Sequence, residues 1–133
     1  PEKVVRLIME RGMEEQCVVT STSLGYLEQV KLLAPQLRTG YILSAAYGDF
    51  DFGEKVDFIS IRASFVNRRM VERAHARGMA VHAWTVNSKS EMERLRLMEV
   101  DNLITDYPVL AREIIYREEA TETLLEYLQM VFR

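Results

Sequence analysis

Five side chains able to bind or orient a polar ligand lie at the ends of two short apolar runs. Trp84, Thr85 and Asn87 stand at the carboxyl end of the first run, residues 80–86, and Thr105 and Asp106 at that of the second. An indole offers a flat apolar wall with one N–H donor. The carboxamide, hydroxyls and carboxylate beside it can contact a ligand or cap the helix that follows. Asp106 admits both roles, because Pro108 starts a helical pattern directly after it. The residue types of nucleophilic and acid–base chemistry are sparse, with two histidines and one cysteine. His75 falls in a helical segment four residues after Val71 and reads as half-exposed on the exterior. His82 stands two residues before Trp84 on the same strand face, and therefore points to the interior of the sheet. It is either a satisfied core polar group, the commoner case, or a catalyst. Cys17, beside Val18 and Val19, reads as a small buried hydrophobe.

These side chains must be held by elements, and the pattern supplies them. Apolar runs at residues 16–20, 39–43, 57–61, 80–86 and 102–105 read as strands. Between them, helical spacing marks residues 1–11, 24–34, 67–77 and 90–98. After Pro108 a helix runs to about residue 116, and a second piece with Leu124, Leu125, Leu128 and Val131 in a stripe covers 121–132. In the first helix Val4, Val5, Leu7 and Ile8 share a face. Gly12 and Gly78 stop helices, Pro35 ends another, and the Ser21-Thr22-Ser23 run supplies a cap. Residues 45–55 are irregular, either a loop whose aromatics pack on the rim or a lid over a ligand. Strand starts recur at roughly 18 to 24 residues with a helix between most of them, which is a βα repeat and hence a parallel sheet. Parallel sheets bind ligands at the carboxyl ends of their strands, where Trp84, Thr85, Asn87 and Asp106 stand and where Ser21 ends the first strand.

The chain of 133 residues is one domain's worth, and 48% apolar residues suffice for a core. A net charge of −3 argues against nucleic acid, which needs a basic face. One cysteine excludes an internal disulfide. No apolar run approaches the roughly 20 residues of a membrane span, so the chain itself is expected to be soluble. It opens on Pro1 rather than methionine, which suggests an excised domain. Five strands fall short of a closed (β/α)8 barrel. A doubly wound nucleotide-binding fold would fit the length, but no glycine-rich loop follows the first strand.

At WTVN (residues 84–87) followed by VDNLITDYP (100–108) the chain resembles the carboxyl-terminal part of a glycerophosphodiester phosphodiesterase. Further matching pieces are VVTS (18–21), Leu33-Ala34-Pro35, the strand after Gly40, DFIS (57–60), and Met70-Val71 with the AHARG run (74–78). The resemblance covers residues 3–116 and implies an α/β fold, a partial TIM (β/α)8 barrel comprising about strands 4–8 with their helices. It divides the chain into residues 1–116, the barrel part, and residues 117–133, a carboxyl-terminal helix. The implied parent is a hydrolase of lipid and glycerol metabolism that converts glycerophosphodiesters to glycerol 3-phosphate and an alcohol. The stretch from Asp57 to Asn87 most resembles the branch with an amino-terminal membrane region, which would anchor the parent through residues not present here. Two departures stand out. The family usually has glycine where Glu99 and Asn102 stand, which implies an altered turn at Glu99, whereas asparagine tolerates a left-handed backbone. The rim aromatic that commonly follows Ser21 is Thr22 here.

The resemblance also implies a gap. The family's His-Arg pair, its Glu-x-Asp, its second histidine and a further glutamate have no counterparts in this chain. Phosphodiester hydrolysis needs a divalent ion, Ca²⁺ or Mg²⁺ in the implied parent, and a proton donor. No metal ligand and no catalytic residue is assigned to this chain, which is expected to bind no ion and to be inactive alone. Trp84 is the implied substrate-binding residue, a wall for the glycerol carbons, with Thr85, Asn87, Asp106 and Ser21 as candidate rim contacts. The alternative is a non-catalytic assembly module. A barrel cut between strands three and four exposes two strand edges and an apolar inner face, so self-association is expected.

Overall fold

The five strands stand in the sheet in the order in which the chain makes them, each parallel to its neighbour. A computed structural model describes residues 1–43, 51–52 and 55–131. Among these, α1 (Glu2–Glu10) leads into β1 (Val18–Ser21), α2 (Leu24–Leu33) and β2 (Arg38–Leu43). Then come β3 (Phe58–Arg62), a 3₁₀ turn (Ala63–Phe65), α3 (Arg68–His75), β4 (Ala80–Trp84), α4 (Lys89–Arg96), β5 (Asn102–Leu103) and α5 (Pro108–Val131). An unbroken strand order has no reversal point, so the doubly wound alternative is excluded and a barrel segment remains. Most of the region at residues 45–55, loop or lid, lies outside the described residues.

One face of the sheet carries the core. Ile59, Ile61, Val81 and Ala83 are fully buried against Leu27, Met70, Val71, Ala74, Met92 and Leu95 from the helices. Burying one such aliphatic side chain contributes about 1.5–3 kcal/mol. The helix spacing was legible, with exceptions at the β1 side: Val5 is buried, but Val4 and Leu7 are exposed. The opposite, concave face departs from expectation. It was expected to be apolar, yet Arg38, Ser60, His82, Asn102 and Thr20 line it with Val18, Phe58 and Ile104. The side-chain period of two brings polar residues from every strand to this face, so water meets a mixed surface there.

Several local expectations are corrected. Ser23 occupies the cap position of α2 without a side-chain cap bond; Ser21 Oγ instead accepts from the Ser23 N–H at 3.0 Å. Cys17 is half-buried, not buried. The break expected after residue 116 is absent, and α5 runs through it as one helix, so the boundary drawn at 116/117 falls inside a continuous element. Residues 117–120, Arg-Glu-Glu-Ala, contain no breaker, and all four favour helix.

Helices α1, α3 and α4 all end in one motif. After α3, Met79 N–H donates to Ala74 C=O and Gly78 N–H to His75 C=O; after α4, Val100 N–H donates to Leu95 C=O and Glu99 N–H to Arg96 C=O. This closure needs a left-handed residue. Gly78 provides it at φ +72°, whereas Glu99 is forced to φ +62°. The turn at Glu99 is therefore not altered; the residue bears the strain. Asn102 lies in β5 and does not adopt that conformation. Glu99→Gly is expected to raise stability by about 1 kcal/mol, the left-handed cost less the extra chain entropy of glycine, read as a higher urea midpoint.

At the amino ends of the strands two aspartates perform the same task. Asp57 Oδ2 accepts from Thr39 N–H (2.6 Å) while Asp57 N–H donates to Thr39 C=O (2.8 Å). Asp101 Oδ2 accepts from Val81 N–H (2.7 Å) while Asp101 N–H donates to Val81 C=O (3.1 Å). Each aspartate thus closes the ladder on the preceding strand. Lys31 Nζ pairs with Asp57 at 2.7 Å, and His75 Nε2 lies 2.8 Å from Asp101 Oδ2.

Candidate functional site

The carboxyl ends of β3 and β4 form the candidate site. Arg62 and Trp84 end their strands in register, and their side chains lie on the concave face with Ser60 and His82. The Arg62 guanidinium carbon lies 5.6 Å from the Trp84 ring centroid. A cleft of about 380 Å³ opens there, lined by Arg62, Ala63, Ser64, Trp84, Thr85 and Glu91. The turn after Arg62 is fixed from α4, where Arg94 donates to the carbonyls of Ala63 (3.0 Å) and Val66 (3.2 Å). Ser88 caps α4 by accepting from Glu91 N–H (3.3 Å), and Asn67 caps α3 by accepting from Met70 N–H (3.0 Å).

Of the sequence candidates, the structure brings Trp84 and Thr85 together in this cleft. Asn87 and Asp106 are joined to each other instead. Asn87 Nδ2 donates to Asp106 Oδ2 at 2.7 Å, and Asp106 N–H donates to Asn87 Oδ1 at 3.0 Å. Thr105 Oγ1 also donates to Asn87 Oδ1 (3.3 Å) and accepts from Tyr107 N–H (3.0 Å). This bracket ties the exit of β4 to the exit of β5. The Asp106 carboxylate is thus engaged with Asn87 rather than with the first turn of α5. Ser21 is remote, on a cleft formed with α1 and α2. Sequence reasoning missed Arg62, because it ended the third strand one residue early, at Ile61. Extending the alternation Phe58, Ser60, Arg62 by that one residue finds it.

His82 lies below Trp84. Its ring stacks on Phe58 with centroids 3.9 Å apart, and its Nδ1 is 3.4 Å from Asn102 Nδ2. Burial and the charge of Arg38 push its pKa below the ordinary 6.5, with Asp101 opposing in part. The unfolded chain therefore binds this proton more tightly than the folded one. The contribution of His82 is fully present above pH 6.5 and is lost as pH falls from there through the lowered folded-state value. His82→Gln is expected to remove this dependence, checked by the difference between wild-type and variant melting temperatures across pH 7.5 to 5.5.

No group of three His, Cys, Asp or Glu able to hold a metal ion occurs among the described residues. The described residues therefore offer no donor set that fits the divalent cation the resemblance implies.

The model of the glycerophosphoryl diester phosphodiesterase family matches residues 2–110. The chain belongs to that family. A glycerophosphodiester phosphodiesterase of Caldanaerobacter subterraneus subsp. tengcongensis is 29% identical over 110 residues, covering 80% of this chain and 45% of the relative. Among solved structures, an Oleispira antarctica phosphodiesterase in complex with the product sn-glycerol-3-phosphate is 26% identical with a TM-score of 0.66, over 72% of this chain and 40% of that one. A glycerophosphodiester phosphodiesterase of Parabacteroides distasonis shares the fold with a TM-score of 0.77 at 16% identity, over 89% of this chain and 50% of that one. The chain thus spans about half the length of these relatives. The partial-barrel expectation is borne out by these neighbours and by the parallel five-stranded sheet. Among the described residues, no helix is long and apolar enough to cross a membrane.

Proposed function

We propose that these residues form the substrate-wall half of a metal-dependent glycerophosphodiester phosphodiesterase, with the cation ligands and the proton donor supplied from outside the described residues. The supporting observation is Trp84, half-buried at the carboxyl end of β4 and facing an open cleft beside Arg62 and Thr85. An indole in that place packs against glycerol carbons while its N–H remains available as a donor. Asn87 and Asp106, locked together, hold the loop that follows Trp84 rather than touching substrate. Burial and cation chemistry are thereby divided between two halves of one barrel, and the parent is read as acting in lipid and glycerol metabolism.

The 133-residue chain alone is expected to release no sn-glycerol 3-phosphate from glycerophosphodiesters, with or without Ca²⁺ or Mg²⁺. Coupled assay of the purified chain checks this, and robust metal-dependent turnover would overturn the division of labour. Trp84 is the single tryptophan, so its fluorescence reports the wall directly. Binding of sn-glycerol 3-phosphate should shift that emission.

A second reading, self-association, is favoured by β1 and β5, each of which is paired on one side only among the described residues. Sedimentation showing a monomer at micromolar concentration would remove it.

A further inference from the structure

We infer that Arg62 is the anion-recognising residue of the Trp84 cleft, placed to take the phosphate group of a ligand whose carbon skeleton rests on the indole. This deepens the proposed function and rests on the reading of Trp84 as a substrate wall.

Three observations carry it. First, the strand register puts Arg62 directly beside Trp84 at the end of the sheet where ligands bind, with its guanidinium carbon 5.6 Å from the indole centroid. A guanidinium held over a ring is oriented by the ring's quadrupole, while its N–H donors at the edge stay available. Second, its charge is uncompensated. Among the described residues, ion pairs engage Arg6, Arg77 and Arg94, but none engages Arg62. The carboxylate lining the cleft, Glu91, has its Oε1 3.9 Å from Arg94 Nη2 instead. Third, the backbone carrying Arg62 is held, because Arg94 ties the carbonyl of the next residue, Ala63. The hydroxyl-bearing residues Ser64 and Thr85 line the same cleft. A planar fork of donors with hydroxyl groups close by matches the oxygens of a phosphate, which accept bidentate bonds from arginine. A side chain that merely shielded the indole would need neither the charge nor an open cleft in front of it.

The test titrates the 133-residue chain with sn-glycerol 3-phosphate, inorganic phosphate and glycerol, following Trp84 emission. Wild type, Arg62→Gln and Arg62→Lys are compared, with urea midpoints confirming that each variant folds. Arg62→Gln is expected to weaken sn-glycerol 3-phosphate binding about tenfold, the scale of one charge-assisted contact at an exposed site. Glycerol binding should not change, and Arg62→Lys should fall between. Loss of phosphate binding in step with sn-glycerol 3-phosphate binding supports the inference and identifies the phosphate group itself as what Arg62 reads. Unchanged sn-glycerol 3-phosphate affinity in Arg62→Gln overturns the inference and leaves the Trp84 wall standing. No response of the wild type to sn-glycerol 3-phosphate overturns both.

Discussion

Gly40→Ala is expected to destabilise the fold by about 2–3 kcal/mol, the upper part of the range for forcing extra atoms into a packed site. A Cβ at residue 40 would fall 2.1 Å from Cε2 and 2.2 Å from Cζ of the Phe58 ring, inside any permitted contact. Gly40 faces Phe58 across the β2–β3 register, so the ring lies over bare backbone. The ring has little room to yield. It is 1% exposed, the His82 ring stacks on it at an interplanar angle of 16°, and the Arg38 guanidinium carbon lies 5.9 Å from its centroid. Relief therefore requires moving a strand paired on both sides. Urea denaturation checks the magnitude, and the double variant Gly40→Ala with Phe58→Leu checks the cause. A smaller side chain at residue 58 should recover part of the loss, giving a cycle that falls short of additivity. Fully additive losses would locate the strain elsewhere.

Asp57→Ala should cost about 2 kcal/mol, below the 3–5 kcal/mol of a fully buried pair because part of the carboxylate side faces water. The substitution removes the acceptor of the Thr39 N–H (2.6 Å) and the anion paired with Lys31, whose ammonium sits 2.7 Å away, while the Thr39 hydroxyl keeps the Lys55 carbonyl as acceptor at 2.7 Å. Thr39 is fully buried, and an unsatisfied donor there has no water to turn to. Lys31 keeps the Leu37 carbonyl at 2.9 Å, which limits the damage. Burial by itself would raise the Asp57 pKa, but hydrogen bonds and charge from Lys31 and hydrogen bonds from Thr39 hold it below the ordinary 3.8. The unfolded chain thus takes up this proton first. The contribution is fully present above pH 3.8 and is lost as pH falls through the lowered folded-state value. Urea midpoints at pH 7 and in the acid range should therefore converge between Asp57→Ala and wild type as the pH drops. A gap that stays constant would show that the carboxylate charge is not what stabilises this corner.

Strand and helix identities were legible because each is written in a single dominant period. The alternation of Ile59 and Ile61 with Phe58, Ser60 and Arg62, and the helical recurrence of Leu27 and Val30, leave little competition. The polar concave face was hidden for a related reason. Short strands such as Ala80–Trp84 look apolar in composition, and only strict alternation separates Val81 and Ala83, facing the helices, from His82 and Trp84, facing inward. In the candidate site, Trp84 was evident from residue type and position. Arg62 was not, because a boundary error of one residue removes a side chain from the rim. The Asn87–Asp106 bracket joins residues from two loops, and each residue also had a local explanation, capping in the case of Asp106. The paired aspartates did leave a trace, since Val56-Asp57 and Val100-Asp101 both stand immediately before a strand.

The unequal lengths of the outer strands give completion of this sheet a direction. Strand β1 offers Val18–Ser21 to an incoming neighbour, whereas β5 offers only Asn102–Leu103. A longer rail specifies alignment more firmly, because a slip of one residue there turns more side chains to the wrong side. Any segment that closed such a sheet into a ring would be expected to zip first along β1 and to meet β5 last, which would leave the seam beside β5 as the place where the cylinder opens most readily.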